Sequence, residues 1–226
     1  MIDDDATVCV PARPDGSGDR PDDAQLLVLL HGYGAHERDL LPLVDLLGHT
    51  GPALAPRAPI RLGAGFGPDA WAWLGDVAGD EGFAPQPEAT AALAEELLAL
   101  LDAHSPAAPV VLVGFSQGAA MAIELLRRAP ERVACLVSLS GYVEGVDEPA
   151  MTTNDDALRA HGVPVFHGRG DVDAVVPPHV EERTLRWLRE HTDLTERIYP
   201  GLAHAVDATE LRDARGFLAG VRARGA

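Results

Sequence analysis

The chain has 226 residues, of which 46% are hydrophobic and 23% charged, a composition that excludes a disordered or coiled-coil protein and fits a globular domain. Its two cysteines, Cys9 and Cys135, are too few for a disulfide framework, and both fall in strand-like segments where we expect them to be buried. Lysine is absent, and 18 basic against 35 acidic residues give a formal net charge of −17, so we expect no nucleic-acid partner. The longest apolar run, near residues 26–30, is too short to span a bilayer, so we expect no stable membrane insertion.

The acidity and the start of the chain bear on where the protein works. A solvated surface that keeps the chain soluble explains the acidity, and adaptation to salt is the alternative. Residues 1–5, Met-Ile-Asp-Asp-Asp, have neither the basic nor the apolar region of a secretory signal peptide. We therefore expect a cytoplasmic protein.

Segments with strand-like and helix-like patterns alternate along the chain. In chain order they predict a strand at 7–10, a strand at 25–30, a helix at 37–48, a strand at 53–55, a helix at 87–104, a strand at 110–115, a helix at 117–129, strands at 133–139 and 163–167, a helix at 178–191, a strand at 194–199 and a helix at about 207–220. This alternation is typical of one α/β domain with a mostly parallel central sheet and helices on both faces.

Two segments do not fit the alternation. Residues 1–24 are rich in Asp, Pro and Gly, and we expect them to be partly irregular. Residues 56–86 form a long connection in which we predict no regular structure, and connections of that length are usually functional.

The motif that carries chemistry is Gly-Phe-Ser-Gln-Gly at 114–118, a G-x-S-x-G pattern between a predicted strand and a predicted helix. In that context it predicts a sharp turn that exposes the Ser116 oxygen, with glycines that leave room for a strained backbone. The start of the helix places the Gln117 N–H where an oxyanion would form. A strand–helix turn with an incidental serine is the alternative.

A nucleophilic serine needs a histidine base, and the histidine needs an acid to orient it. Among the five histidines after Ser116, His204 follows the last predicted strand, at the sheet edge where open α/β sheets bind ligands. Asp171 and Asp173 are the acid candidates, and spacing alone does not choose between them. We interpret His167, which ends a buried strand, as structural.

A second oxyanion donor is expected from the loop after an earlier strand. His31-Gly32-Tyr33-Gly34 is such a loop, and its glycines would let the Tyr33 N–H approach a ligand closely; the alternative is that they only form a tight turn. We expect His31 to brace the loop through hydrogen bonds. No two histidines have the i, i+4 spacing with an intervening Glu that a zinc-binding helix requires, so we predict no metal site.

With these residues, the chain resembles the phospholipase/carboxylesterase family of α/β-hydrolases, which includes acyl-protein thioesterases and small bacterial carboxylesterases. The matching segments run in family order from about residue 25 and are 30–34, 57–60, 114–122, 139–141, 173–177 and 199–204. The resemblance implies the α/β-hydrolase fold, Ser116 as nucleophile and His204 as base. It also implies Asp173 as the acid, because the family's Asp-x-Val-x-Pro pattern falls on 173–177.

The resemblance further implies hydrolysis of short- to medium-chain acyl esters or thioesters without a cofactor. We place the acyl-binding wall in the 56–86 segment, at Phe66, Trp71 and Trp73, although the tryptophans could instead anchor the loop on the core. A serine carboxylesterase is the favoured function. The alternatives are an acyl-protein thioesterase or lysophospholipase-type hydrolase with the same triad, and a non-catalytic binding module of the same fold. The sequence does not indicate an oligomeric state.

Overall fold

The computed structural model of the chain describes residues 1–13, 25–63, 65–75, 78–79, 82–83, 86–106, 108–146, 148 and 152–225. The strands are β1 (Val8–Val10), β2 (Leu27–Leu30), β3 (Ala53–Ala55), β4 (Ile60–Arg61), β5 (Trp71–Ala72), β6 (Ala78–Gly79), β7 (Gly82–Phe83), β8 (Val110–Phe115), β9 (Val133–Leu139), β10 (Pro164–Gly170) and β11 (Asp193–Tyr199). The α-helices are α1 (Leu43–Leu46), α2 (Pro87–His104), α3 (Gln117–Arg128), α4 (Asp155–His161), α5 (Pro178–His191) and α6 (Ala208–Gly225). Short 3₁₀ helices lie at Asp4–Ala6 and Pro130–Arg132.

Seven of these strands form the central sheet, in the order β1-β3-β2-β8-β9-β10-β11. Strand β1 runs antiparallel to β3, and every other pair of neighbours in this sheet is parallel. The predicted α/β fold with a mostly parallel sheet is therefore confirmed. The segments that follow β2, β8, β10 and β11 leave the sheet at its carboxyl edge, where ligands of open α/β sheets bind.

The sheet has a hydrophobic core on each face because successive side chains of a strand point to opposite sides. On one face Val28 and Leu30 pack with apolar residues of α2, α3, α4 and α5. On the other face Leu27 and Leu29 pack with apolar residues of α1 and α6. Burial on both faces explains why the central strands are continuous apolar runs.

The structure corrects two predictions of local elements. The helix predicted over 37–48 is reduced to the single turn α1, since Pro42 disfavours a helical backbone at Leu41. The 56–86 segment is not without regular structure: β4 pairs with β5, and β6 with β7, as two antiparallel ribbons.

The two cysteines differ in exposure. Cys135 is buried as predicted, but Cys9 is exposed. Strand β1 lies at the edge of the sheet, and its residues Val8 and Val10 pack against the core, so the intervening Cys9 points outward.

Among the described residues, no helix combines the length and the apolar character needed to cross a membrane.

Candidate active site

Ser116 lies at a strained turn between β8 and α3. Its backbone has φ 53° and ψ −119°, a conformation that a residue with a side chain rarely adopts. A Cβ atom at Gly114 would collide with the Ala119 backbone, and one at Gly118 with the carbonyl oxygens of Leu30 and His31. The two glycines of the motif therefore allow the close packing of α3 against β8 and β2 that this turn requires.

His204 lies between Ser116 and Asp173. Its Nε2 is 2.8 Å from the Ser116 Oγ, and its Nδ1 is 2.7 Å from the Asp173 Oδ2. With the proton on Nδ1, His204 donates to the carboxylate and accepts from the serine hydroxyl. The other Asp173 oxygen accepts the N–H groups of Val175 at 2.8 Å and Val176 at 3.2 Å, which fixes the orientation of the carboxylate.

The second acid candidate has a different partner. Asp171 Oδ1 accepts the Gly201 N–H at 2.6 Å, across the gap between the loops that follow β10 and β11. Of the two aspartates, only Asp173 contacts His204.

Phe115 is a site residue that the sequence analysis missed. Its ring lies 5.0 Å from the His204 ring, centroid to centroid. A Cβ atom at Gly32 would come within 2.9 Å of the same phenyl ring. Phe115 therefore packs between the His204 ring and the loop after β2, and the only sequence signal for this is its position before Ser116.

The loop of residues 31–34 follows β2, and we call it the oxyanion loop after the donor that the sequence analysis predicts there. His31 is buried; its Nδ1 is 2.8 Å from the Gly32 oxygen, and its Nε2 accepts the Ala58 N–H at 3.1 Å. These contacts require a neutral ring with the proton on Nδ1, and burial lowers the His31 pKa in agreement. His31 thus braces the loop as we expected.

Ribbon β4–β5 is joined to the oxyanion loop by main-chain hydrogen bonds. The Gly34 N–H donates to the Trp71 oxygen, and the Trp71 N–H donates to the Ala35 oxygen, each at 2.9 Å. Gly34 has φ 78°, which favours glycine there. The Tyr33 ring packs edge to face with Phe66, with centroids 5.6 Å apart.

The three predicted aromatic residues of the acyl-binding wall lie in different environments. Phe66 is 57% exposed, whereas Trp71 is partly buried, with the Arg57 guanidinium 4.9 Å from its ring centroid. Trp73 is only 1% exposed and donates its indole N–H to the His31 oxygen at 2.7 Å. For Trp73 the structure therefore favours the second of the two stated alternatives, an anchor on the core, where its one polar atom has a buried acceptor.

The Gln117 side chain is a second feature that the sequence analysis missed. It is 1% exposed; its Oε1 accepts the Trp73 N–H at 2.8 Å, and its Nε2 donates to the Leu74 oxygen at 3.1 Å. The backbone N–H of Gln117, at the first position of α3, belongs to the helix-terminal groups that have no intrahelical acceptor. The Gln117 side chain therefore contacts residues 73–74, while its backbone N–H directly follows Ser116 in the chain.

Two further buried groups support the site. His167 has Nδ1 3.1 Å from the Ser138 Oγ and Nε2 3.2 Å from the Glu181 Oε1, which agrees with a structural role. Glu37 accepts two hydrogen bonds from the Arg57 guanidinium, both at 2.7 Å, and these hold the pKa of Glu37 at about 2. This ion pair ties the turn after the oxyanion loop to the start of the 56–86 segment.

No group of three or more His, Cys, Asp or Glu side chains in the described ranges is arranged to hold a metal ion.

Comparisons with known proteins agree with the fold and with the family resemblance. A model of the phospholipase/carboxylesterase family matches residues 17–221. The chain is 28% identical over 114 residues to acyl-protein thioesterase 1 of Saccharomyces cerevisiae, in a match that covers 48% of each protein, so it spans about half the length of that relative. It is 25% identical over 213 residues to acyl-protein thioesterase 1 of Debaryomyces hansenii, covering 85% of this chain and 89% of the relative.

Among solved structures, the fold is similar to the crystal structure of esterase PE8, with a TM-score of 0.71 and 29% sequence identity. That match covers 96% of this chain and 98% of the other.

Proposed function

The chain belongs to the phospholipase/carboxylesterase family, and we propose that it is a serine hydrolase that cleaves short- to medium-chain acyl esters with Ser116, His204 and Asp173 as its catalytic triad. The observation that carries the proposal is the hydrogen-bonded series Ser116–His204–Asp173, with 2.8 Å and 2.7 Å between the paired atoms. Nucleophile, acid and base follow one another in the chain order of α/β-hydrolases, Ser, Asp, His.

The first half of the reaction forms an acyl-enzyme. Ser116 Oγ attacks the ester carbonyl carbon while its proton passes to His204 Nε2. The Asp173 carboxylate stabilises the resulting imidazolium through Nδ1. The oxyanion accepts hydrogen bonds from the backbone N–H groups of Gln117 and Tyr33. The intermediate then collapses, and His204 gives its proton to the leaving alkoxide.

The second half repeats these steps with water. His204 Nε2 takes a proton from water as the water oxygen attacks the acyl carbon of the acyl-enzyme. The second tetrahedral intermediate releases the carboxylic acid and restores the Ser116 hydroxyl. Ser116 keeps 8% of its surface exposed, so the residue is not sealed off from solvent.

The acyl chain has an apolar surface available next to the oxyanion loop. Phe66 is mostly exposed and packs against the Tyr33 ring, which places an aromatic face beside one of the two proposed oxyanion donors. Trp71, on strand β5 of the neighbouring ribbon, is the second candidate for this surface. Contacts of this kind favour apolar acyl groups over charged ones.

Thioester hydrolysis is the second candidate function. The observation that favours it is the name of the curated relatives, acyl-protein thioesterase 1, one of which matches over 89% of its own length. A thioester would react at the same triad through the same acyl-enzyme. Substrates, not residue identities, separate the two functions.

The test is a panel of p-nitrophenyl esters with acyl chains from C2 to C16, with matched acyl thioesters, run beside Ser116→Ala. We expect turnover of the shorter esters by the wild type and none by the variant. Ser105→Ala, which changes a serine that ends α2, is the control and should retain full activity. A wild type that hydrolyses only thioesters would support the second function. A wild type that is inert on the whole panel and is not labelled at Ser116 by a fluorophosphonate would overturn both.

A further inference from the structure

Two successive peptide carbonyls of the oxyanion loop are each held by a ring N–H. The His31 carbonyl accepts the Trp73 indole N–H at 2.7 Å, and the Gly32 carbonyl lies 2.8 Å from the protonated His31 Nδ1. The Gly32 carbonyl also accepts the Ala35 N–H at 3.3 Å. The planes of both peptides are therefore fixed by side chains.

The orientation of these planes decides where the Tyr33 N–H points. A trans peptide is planar, with its N–H directed opposite to its C=O. Because the Gly32 carbonyl is turned towards the His31 ring, the Tyr33 N–H of the same peptide points away from that ring. Rotation of the Gly32–Tyr33 plane would turn the donor away from a position that hydrogen-bond geometry restricts to a narrow range of angles. Displacement of the preceding His31–Gly32 plane, which shares the Gly32 Cα, would shift the same donor.

The main chain that carries the Trp73 indole is itself held by the residue after Ser116. Gln117 Oε1 accepts the Trp73 main-chain N–H at 2.8 Å, and Gln117 Nε2 donates to the Leu74 oxygen at 3.1 Å. The Gln117 and Trp73 side chains are both 1% exposed, so water does not compete for these hydrogen bonds. A continuous set of contacts thus leads from the residue after Ser116 to the His31 carbonyl.

We propose that the Gln117 carboxamide and the Trp73 indole form a strut that positions the oxyanion loop relative to Ser116. The inference rests on the proposed function. Gln117 then acts twice: its backbone N–H contacts the oxyanion, and its side chain, through Trp73, holds the His31–Gly32 peptide that precedes the peptide carrying the Tyr33 N–H. Trp73 is a positioning residue that does not touch the substrate.

The alternative is that these buried hydrogen bonds only stabilise the fold. Loss of a purely stabilising contact lowers the free energy of unfolding but leaves the turnover of each folded molecule unchanged. Loss of a positioning contact lowers kcat more than it changes KM, because the oxyanion exists only in the transition state and in the tetrahedral intermediate. It also weakens binding of a transition-state analogue in proportion.

The test uses Trp73→Phe, which removes the indole N–H and keeps an aromatic ring. Removal of an oxyanion donor outright costs about 10²- to 10³-fold in kcat, so we expect misorientation of one donor to cost about tenfold, with KM within about twofold. A trifluoromethyl ketone, whose carbonyl adds the Ser116 Oγ to give a hemiketal oxyanion, should bind weaker by the same factor as kcat/KM falls. Rates are normalised to active enzyme by titration with a fluorophosphonate.

Trp187→Phe is the matched control. Trp187 is also buried, and its indole N–H also has a partly buried acceptor, the Asp155 Oδ2 at 3.1 Å, but it lies in α5, away from the oxyanion loop. We expect this variant to lose comparable stability and to keep kcat. Equal kcat losses in the two variants would overturn the strut.

A second variant keeps the inference testable if Trp73→Phe does not fold. Gln117→Met retains the backbone N–H and the length of the side chain but loses both hydrogen bonds to residues 73–74. We expect Gln117→Met to lose a similar factor in kcat. The double variant Gln117→Met/Trp73→Phe should lose little more kcat than the more impaired single variant, because both residues act on the same loop. If the wild type is active on esters and both Gln117→Met and Trp73→Phe keep its kcat, the strut alone is overturned. If the wild type is inactive, the proposed function is overturned and the strut with it.

Discussion

The Asp171 carboxylate accepts the Gly201 N–H at 2.6 Å, so the aspartate that does not contact His204 joins the loop carrying Asp173 to the loop carrying His204. Only Asp173, two residues later, contacts the imidazole, at 2.7 Å from Nδ1. The two nearby carboxylates therefore have different contacts: one orients the His204 ring, and the other holds the two loops together.

The two aspartates form a matched pair of variants. Asp173→Asn should lower kcat by about 10³- to 10⁴-fold, because an amide no longer favours the Nδ1–H tautomer or stabilises the imidazolium. Asp171→Asn should lower kcat less than about tenfold, since its amide oxygen still accepts the Gly201 N–H. Initial rates on a p-nitrophenyl ester measure both, and losses of equal size would contradict the assignment of the acid.

Gly118 is expected to be intolerant of any side chain. Its Cβ would collide with the Leu30 and His31 carbonyl oxygens, so Gly118→Ala should lower the free energy of unfolding by about 1–3 kcal/mol and reduce kcat by displacing the oxyanion loop. Gly216→Ala in α6 is the control. Apart from its own helix backbone, no atom of the described residues lies within 4 Å of a methyl group placed there. Alanine at this position should therefore raise the free energy of unfolding by about 0.5–1 kcal/mol. Urea unfolding compares them, and a neutral Gly118→Ala would contradict the packing argument.

The Glu37–Arg57 ion pair should make part of the stability acid-sensitive. Arg57 holds the pKa of Glu37 at about 2, below its ordinary 4.5, so the folded state binds fewer protons than the unfolded chain between these values. This contribution is complete above about pH 4.5 and is lost as the pH falls to about 2. Glu37→Gln should lower the free energy of unfolding by about 1–3 kcal/mol at pH 7 and progressively less below pH 4.

Urea unfolding of wild type and Glu37→Gln at pH 7, 4 and 3 measures this difference. The control is Glu95→Gln, which alters an exposed pair with Arg128 and should change stability little. A Glu37→Gln difference that stays constant from pH 7 to pH 3 would be inconsistent with the ion pair as its cause.

Glu210, buried at the start of α6, should make stability depend on pH in the opposite direction to Glu37. Burial raises its pKa to about 8, with a further contribution from the charge of Asp207. The folded state therefore retains a proton that the unfolded chain releases above about pH 4.5, so stability from this group is complete below pH 4.5 and is lost as the pH rises to about 8. Glu210→Gln should be more stable than the wild type at pH 8 by an amount on the order of 1–3 kcal/mol, and not at pH 4.5.

Thermal or urea unfolding at pH 4.5 and 8 tests the Glu210 prediction. Glu182→Gln, an exposed glutamate of α5, provides the comparison and should show no such pH-dependent gain. The prediction fails if Glu210→Gln shifts stability equally at both values of pH.

Phe66 should influence the choice of acyl chain rather than the chemistry. Phe66→Ala removes an exposed apolar face beside Tyr33, so KM should rise about three- to tenfold for C6 to C8 esters and little for acetate esters, at nearly unchanged kcat. Leu46→Ala, which truncates an exposed leucine of α1, is the control. Equal changes for all acyl lengths would remove Phe66 from the acyl-binding surface.

The parts of the site that lie in one motif could be predicted from the sequence. The G-x-S-x-G pattern between strand and helix determines the local backbone at Ser116, and parallel topology brings the ends of β8, β10 and β11 to one edge. Spacing leaves Asp171 and Asp173 equivalent, because both follow β10 closely. The resemblance to the family favours Asp173, whose carboxylate contacts His204 in the structure.

The contacts that link distant segments could not be predicted. Gln117 and Trp73 are 44 positions apart in the chain. Neither the spacing of apolar residues nor a short motif predicts a hydrogen bond between them. In the sequence, the choice between a pocket wall and the core stays open for Trp73, because an aromatic side chain in a long loop has the same pattern whether it faces a ligand or the core. The helix α1 is shorter than the hydrophobic pattern predicts because of Pro42. Cys9 points outward because it lies on an edge strand.

Because the two cysteines lie in different environments, only one of them should react with a thiol-labelling reagent. Burial raises the pKa of Cys135 to about 12, whereas Cys9 is exposed on the edge strand β1. A maleimide fluorophore at neutral pH should therefore attach at one position only, since thiolate and access are both needed for reaction. Wild-type protein labelled in this way can report substrate binding or unfolding by fluorescence without any engineered cysteine.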